Sequence, residues 1–146
     1  MLDDVVISLK RLTKNDISWI KPKSSSHQAG INLPKGGFNE MFSDIIAEEE
    51  DNPRSSFKTF WYRQCGTLIS EKECEVIWYQ KKKEFRLVHI PTSKLSGIMK
   101  IHHLIIIRRD KNQLHITPLS KDGEHLVKEL GRSDLVQTLP RRSKKD

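Results

Sequence analysis

Apolar residues along this chain recur in two patterns. Seven short stretches carry the alternating or β-branched and aromatic character of strands: Val5–Leu9, Ile31–Leu33, Phe57–Cys65, Cys74–Tyr79, Phe85–Ile90, Ile101–Ile107 and Leu114–Thr117. Two stretches follow a helical period. Phe38, Met41, Phe42, Ile45 and Ile46 fall at i, i+3, i+4, i+7 and i+8, with Asn39 as a possible cap, and Asp122 to Leu130 is followed by Gly131 as a C-cap. Between them, Thr13 to Gly37 carries Pro22, Pro34, serines and glycines and predicts long loops around the short Ile31–Leu33 piece. Pro91 to Gly97 predicts another loop, and Asp110-Lys-Asn-Gln113 a hairpin turn.

Strands and helices do not alternate regularly, which argues against a doubly wound sheet. The pattern predicts a mainly β chain with two helices, an antiparallel barrel or pseudobarrel of seven strands with helices at its ends. Trp61, Trp78, Leu87, Ile105 and Ile107 are the expected core, with Trp19 placed to brace a polar loop. A chain of 146 residues is one domain's worth, here 1–130, with 131–146 expected to be a tail or linker.

Charge changes the picture. Lys and Arg number 26 against 19 Asp and Glu, a net charge of +7, which favours a polyanionic partner. The charges are also segregated. Six acidic residues and no basic one lie between Glu40 and Asp51. Nine basic residues lie between Lys81 and Lys111, and six between Lys10 and Lys35. Arg141 to Lys145 forms a third basic cluster. No apolar stretch approaches the roughly 20 residues of a membrane span, and the acidic start lacks the basic region of a signal peptide. Cys65 and Cys74 are too few for a disulfide scaffold and are expected as buried thiols in a reducing compartment.

Catalytic signals are sparse. His102 and His103 are adjacent in an expected strand and would point to opposite faces, so no metal site is expected. Glu71, Glu73 and Glu75 resemble a nuclease carboxylate cluster but fall in what reads as a polar connector. Gly36-Gly37 precedes a helix and could meet one phosphate, or be a bare turn. No cofactor and no catalytic residue are expected in this chain.

Two basic blocks combine long cations with short polar donors. Lys21-Pro-Lys23-Ser24-Ser25-Ser26-His27-Gln28 offers lysines for phosphates and His27 and Gln28 for base edges. Lys81-Lys82-Lys83-Glu84-Phe85-Arg86 sets phosphate binders beside Arg86, which suits guanine O6 and N7, and Glu84, which suits cytosine N4. An ordinary Glu84–Arg86 ion pair is the competing reading of the last two. A single-strand or RNA binder would instead expose Trp61, Trp78 or Phe85 as stacking platforms. A small self-contained nuclease and a protein-binding domain with an incidental basic surface are the remaining alternatives.

Leu9-Lys-Arg-Leu-Thr-Lys-Asn-Asp16 and His27-Gln-Ala-Gly-Ile-Asn-Leu-Pro34 resemble the N-terminal effector-binding domain of EcoRII-like type II restriction endonucleases. Asn52-Pro53-Arg54, Val76–Tyr79, Glu84–Leu87 and Ile101–Ile107 extend the likeness more loosely. The resemblance implies a B3-like DNA-binding pseudobarrel, a seven-stranded open barrel with a helix at each end, that grips DNA with an N-arm and a C-arm. Carried over, Lys10, Lys21, Lys23, Ser25, Ser26, His27 and Gln28 fall on or beside the N-arm. Lys81, Lys82, Lys83, Glu84, Arg86 and His89 fall on the C-arm, although Val88-His89-Ile90-Pro91 replaces the family's basic Arg-Trp stretch. The implied partner is double-stranded DNA with a short site resembling CC(A/T)GG. The domain is expected to be monomeric, cytoplasmic and prokaryotic, with the oligomeric state of the longer protein left open, and the resemblance implies that it is joined there to a nuclease domain, where alone Mg2+ would be needed.

Overall fold

The computed structural model describes residues 5–18, 30–47, 51–121, 123 and 125. Seven strands form one sheet: β1 Val5–Arg11, β2 Gly30–Pro34, β3 Arg54–Tyr62, β4 Leu68–Tyr79, β5 Glu84–Val88, β6 Leu104–Asp110 and β7 Gln113–Leu119. Their order is β1-β6-β7-β3-β4-β5-β2. Every neighbouring pair is antiparallel except β3 and β7, which run parallel. The sheet curls into a nearly closed barrel whose unpaired edges are β1 and β2. Pro118 lies past Ile116, the last β7 residue paired with β3, so its missing N–H removes no rung there.

Helices fill the ends. Four helices lie wholly within the described residues, where two were expected in the whole chain: α1 Lys14–Ser18, α2 Lys35–Phe38, α3 Ser43–Ile46 and α4 Thr92–Leu95. The stripe read as one helix over 38–46 is two, because Phe42 leaves helical geometry (φ −119°, ψ 29°). Its apolar face survives the break: Phe38, Met41, Phe42 and Ile45 are all buried. Helices α1 and α4 are single turns inside segments expected to be loops. Lys121, Gly123 and His125 are helical, and the rest of the expected 122–130 helix lies outside the described residues.

The open seam between β1 and β2 is held by polar contacts. Helix α2 lies against both edge strands, and Ser8 Oγ on β1 donates to the Gly37 carbonyl at 2.8 Å. Asp16 does more. Its Oδ2 accepts from Thr13 N (2.9 Å) and pairs with Lys10 Nζ (3.2 Å), and its Oδ1 accepts from Asn32 N on β2 (3.1 Å). Thr13 Oγ1 accepts from Asp16 N in return, which is a capping box at the start of α1. One carboxylate thus caps a helix and ties both edges together.

The core lies inside the barrel. Trp61, Leu87, Ile105 and Ile107 are fully buried and Trp78 nearly so, as expected. Phe42 packs against Phe57 and Phe85 with ring centroids 5.6 and 5.3 Å apart, and Trp78 against Phe85 at 4.8 Å. Trp61 Nε1 donates to Thr59 Oγ1, and Thr59 donates to the Lys72 carbonyl, both at 2.7 Å. The Trp61 indole and the Thr59 hydroxyl, both inside the core, are therefore partnered. Three local expectations change. Strand β6 begins at Leu104, and residues 101–102 form a turn in which His102 has φ 71°. Glu71, Glu73 and Glu75 lie within β4 rather than before it. Of the two thiols only Cys74 is buried, and Cys65 is exposed.

Candidate nucleic-acid interface

Strand direction fixes where each basic block attaches. Arg11, Gly30, Tyr62, Val88, Leu104 and Leu119 stand at one end of the barrel. Val5, Pro34, Arg54, Tyr79, Glu84 and Asp110 stand at the other. The Lys81–Lys83 turn is therefore at the second end. The segment carrying Lys21, Lys23, Ser25, Ser26, His27 and Gln28 leads into Gly30 at the first; those residues, with Trp19, lie outside the described residues. Glu84 to Val88 covers about 13 Å at roughly 3.3 Å per residue. That separation is close to the major-groove width of about 12 Å.

Between these ends lies the outer face of β2, β5 and β4. Phe85 and Leu87 point inward and are fully buried, so Glu84 and Arg86 point outward. Register sets Asn32, Arg86 and Ile77 in one row and Pro34, Glu84 and Tyr79 in the next. Gly30 stands beside Val88, where an added Cβ would lie 2.8 Å from the Leu87 carbonyl oxygen. Only glycine lets β2 approach β5 this closely.

The turn and the face differ in how firmly they are held. Lys83 N donates to the Tyr79 carbonyl at 2.8 Å and Lys83 takes φ 56°, which closes a four-residue loop. Gln80 anchors it: Oε1 accepts from Trp78 Nε1 at 2.7 Å, and its N donates to Asn52 Oδ1 at 3.3 Å. Lys81, Lys82 and Lys83 are exposed, and among the described residues none forms an ion pair. The face is more rigid. Arg86 Nη2 meets Glu84 Oε2 at 2.9 Å, with the two side chains only 13% and 18% exposed. The Arg86 guanidinium carbon lies 5.0 Å from the Tyr79 ring centroid.

An acidic strip borders the face. Glu71 pairs with Lys58 at 2.8 Å. Glu75 Oε1 lies 3.4 Å from both Arg54 Nη1 and His89 Nε2. His89, exposed and at φ 67°, thus sits at the far end of β5 from the lysines. Glu71 and Glu75 are thus offset by neighbouring cations, and the uncompensated positive charge of this face lies at the Lys81–Lys83 turn.

Of the site residues expected from the sequence, the fold gathers Lys81, Lys82, Lys83, Glu84 and Arg86 into one hairpin. Lys10 is elsewhere: it is 4% exposed, points into the barrel and is paired with Asp16. Tyr79 and Asn32 were missed. Tyr79 was legible from alternation, since Cys74, Val76 and Trp78 pointing inward turn Glu75, Ile77 and Tyr79 outward. Among the described residues no group of three or more His, Cys, Asp or Glu side chains could hold a metal ion.

A family model described as "Restriction endonuclease EcoRII, N-terminal" matches residues 2–88, more than half of the chain. The match runs from β1 through β5 and so includes both basic blocks and the face between them. No curated protein matches the chain.

Proposed function

The chain belongs to the family of EcoRII restriction-endonuclease N-terminal domains, and on that premise we propose that it binds a short double-stranded DNA site sequence-specifically. The observation that carries the proposal is the pairing of two kinds of group on one hairpin. Exposed lysines at the tip suit phosphates, which give affinity without sequence. A fixed Arg and Glu on the adjoining strand suit base edges, which give specificity. Arg86 takes the O6 and N7 acceptors of a guanine, and Glu84 accepts from a cytosine amino group. A site of the CC(A/T)GG kind offers both. His27 and Gln28, on the segment leading to Gly30, contact the same groove from the other end, with Lys21 and Lys23 on phosphates. In this proposal the domain itself is not catalytic. It delivers or activates a nuclease domain elsewhere in a longer, cytoplasmic, prokaryotic protein.

A single-strand binder would stack bases on exposed aromatics. Trp61 and Phe85 are fully buried and Trp78 is 2% exposed, so the main candidates for such platforms are withdrawn into the core. Selection from a pool of randomised short duplexes tests the proposal. Enrichment of one short motif is the expected result. Equal retention of all duplexes, with affinity falling only as lysine contacts predict with salt, would reject it.

A further inference from the structure

An arginine reads a guanine edge only when its fork lies in the plane of the base and two N–H groups point the same way. A free arginine side chain must surrender about 2 kcal/mol of rotamer entropy to hold that pose. On this face two neighbours already restrict Arg86. The Arg86 guanidinium carbon lies over the Tyr79 ring at 5.0 Å, which bars the fork from the space the ring occupies. The Glu84 carboxylate takes Nη2 at 2.9 Å and constrains its rotation. Both supports are built into the sheet: Tyr79 is the cross-strand partner of Glu84, and Arg86 follows on the same face. The Lys83–Tyr79 backbone hydrogen bond fixes Tyr79 at the base of the turn.

We propose that Tyr79 is a specificity-determining positioning residue, whose ring holds the Arg86 fork ready for the base edge before DNA arrives. This rests on the DNA-reading role proposed above. In this proposal the ring acts through its face, over which the Arg86 guanidinium lies. An aromatic ring is therefore required at this position and a phenol is not. A cation held over a partly desolvated ring gains enough to shift binding by about tenfold.

The test compares Tyr79→Phe and Tyr79→Leu in the full chain, on the duplex enriched from the random pool and on its scrambled version. Tyr79→Leu is expected to lower the ratio of enriched to scrambled affinity about tenfold. A far-UV circular dichroism spectrum and a cooperative urea transition measured on the same sample report that the variant is folded. Tyr79→Phe is expected to keep the ratio within about twofold. In an Arg86→Ala background, Tyr79→Leu should lower the ratio no further. A wild-type ratio retained by Tyr79→Leu overturns the inference while leaving the DNA-binding proposal standing. So does an equal loss in Tyr79→Phe, which would place the hydroxyl on the DNA. A wild-type chain that shows no preference between the two duplexes overturns both.

Discussion

Two ion pairs flank strand β2, and they differ in what surrounds the carboxylate. Asp16 is 1% exposed and receives Lys10 Nζ, Thr13 N and Asn32 N, so both of its oxygens are committed to the seam of the barrel. Glu84 is 18% exposed and has Arg86 as its partner on the outer face. Asn32 links the two: its N–H donates to Asp16, and it is the register partner of Arg86. A carboxylate saturated by backbone and buried cation is a fastening, because any exchange leaves charges unpaired in the interior. A carboxylate with a single cation at the edge of solvent keeps acceptor capacity in reserve, so it can hold that cation and also accept from a base edge. Geometry alone does not separate the pairs, which span 3.2 and 2.9 Å. Burial and the number of further contacts do.

The largest expected effect tests the fastening. Asp16→Ala strands Lys10 and two backbone donors and should cost about 3–5 kcal/mol in urea unfolding. A loss under about 1 kcal/mol would make the two pairs equivalent and break the comparison. Glu84→Ala should cost about 1 kcal/mol of stability or less, while lowering affinity for the enriched duplex and raising it for scrambled DNA, because a negative charge leaves the face. Affinity unchanged on both duplexes would remove Glu84 from the interface.

The lysines sharpen the same contrast. Lys82→Ala should reduce the steepness of the salt dependence by about one unit on every duplex. Lys10→Met should leave that dependence unaltered and lower stability instead. A salt-slope change at Lys10 would mean that its buried position in the free chain is not kept on DNA.

The smallest effect concerns pH. The His115 ring stacks on Phe60 at 4.9 Å, and its Nδ1 lies 2.7 Å from the Tyr62 hydroxyl. Burial, then the charge of Arg108, pushes its pKa below the ordinary 6.5. The fold therefore favours the neutral ring. That contribution is complete above the unfolded value and is lost as pH falls through it, because the unfolded chain takes up the proton more readily. Urea midpoints at about pH 7.5 and about pH 5.5 should differ by less in His115→Phe than in the wild type. An identical pH dependence in the two would show that His115 titrates alike in both states.

Much of the fold was legible from period alone. Seven strands and the tryptophan and isoleucine core followed from alternation, since a barrel interior admits apolar residues at every second position. What alternation could not show were contacts made across the seam. Asp16 read as one acid among basic loop residues. The stretch from Thr13 reads as loop, and nothing local indicates that the Asp16 carboxylate caps a helix or reaches β2. Lys10, which the resemblance sets on or beside the N-arm, lies on β1 with its side chain buried against Asp16. The continuous stripe over 38–46 concealed a break at Phe42, because the two short helices present one shared apolar face. Lys81–Lys83, Glu84 and Arg86 were legible because a hairpin needs only neighbouring residues. Alternation along β4 turns Tyr79 outward, and its register with Glu84 places it beside Arg86.

The most direct test of the account is the affinity of Arg86→Ala, measured beside the wild type on the enriched duplex and on its scrambled version at one salt concentration. The account predicts a loss of about 1–3 kcal/mol on the enriched duplex and a much smaller loss on the scrambled one. Equal losses on both would make Arg86 another phosphate contact and would contradict the assignment of this face as the part that reads sequence.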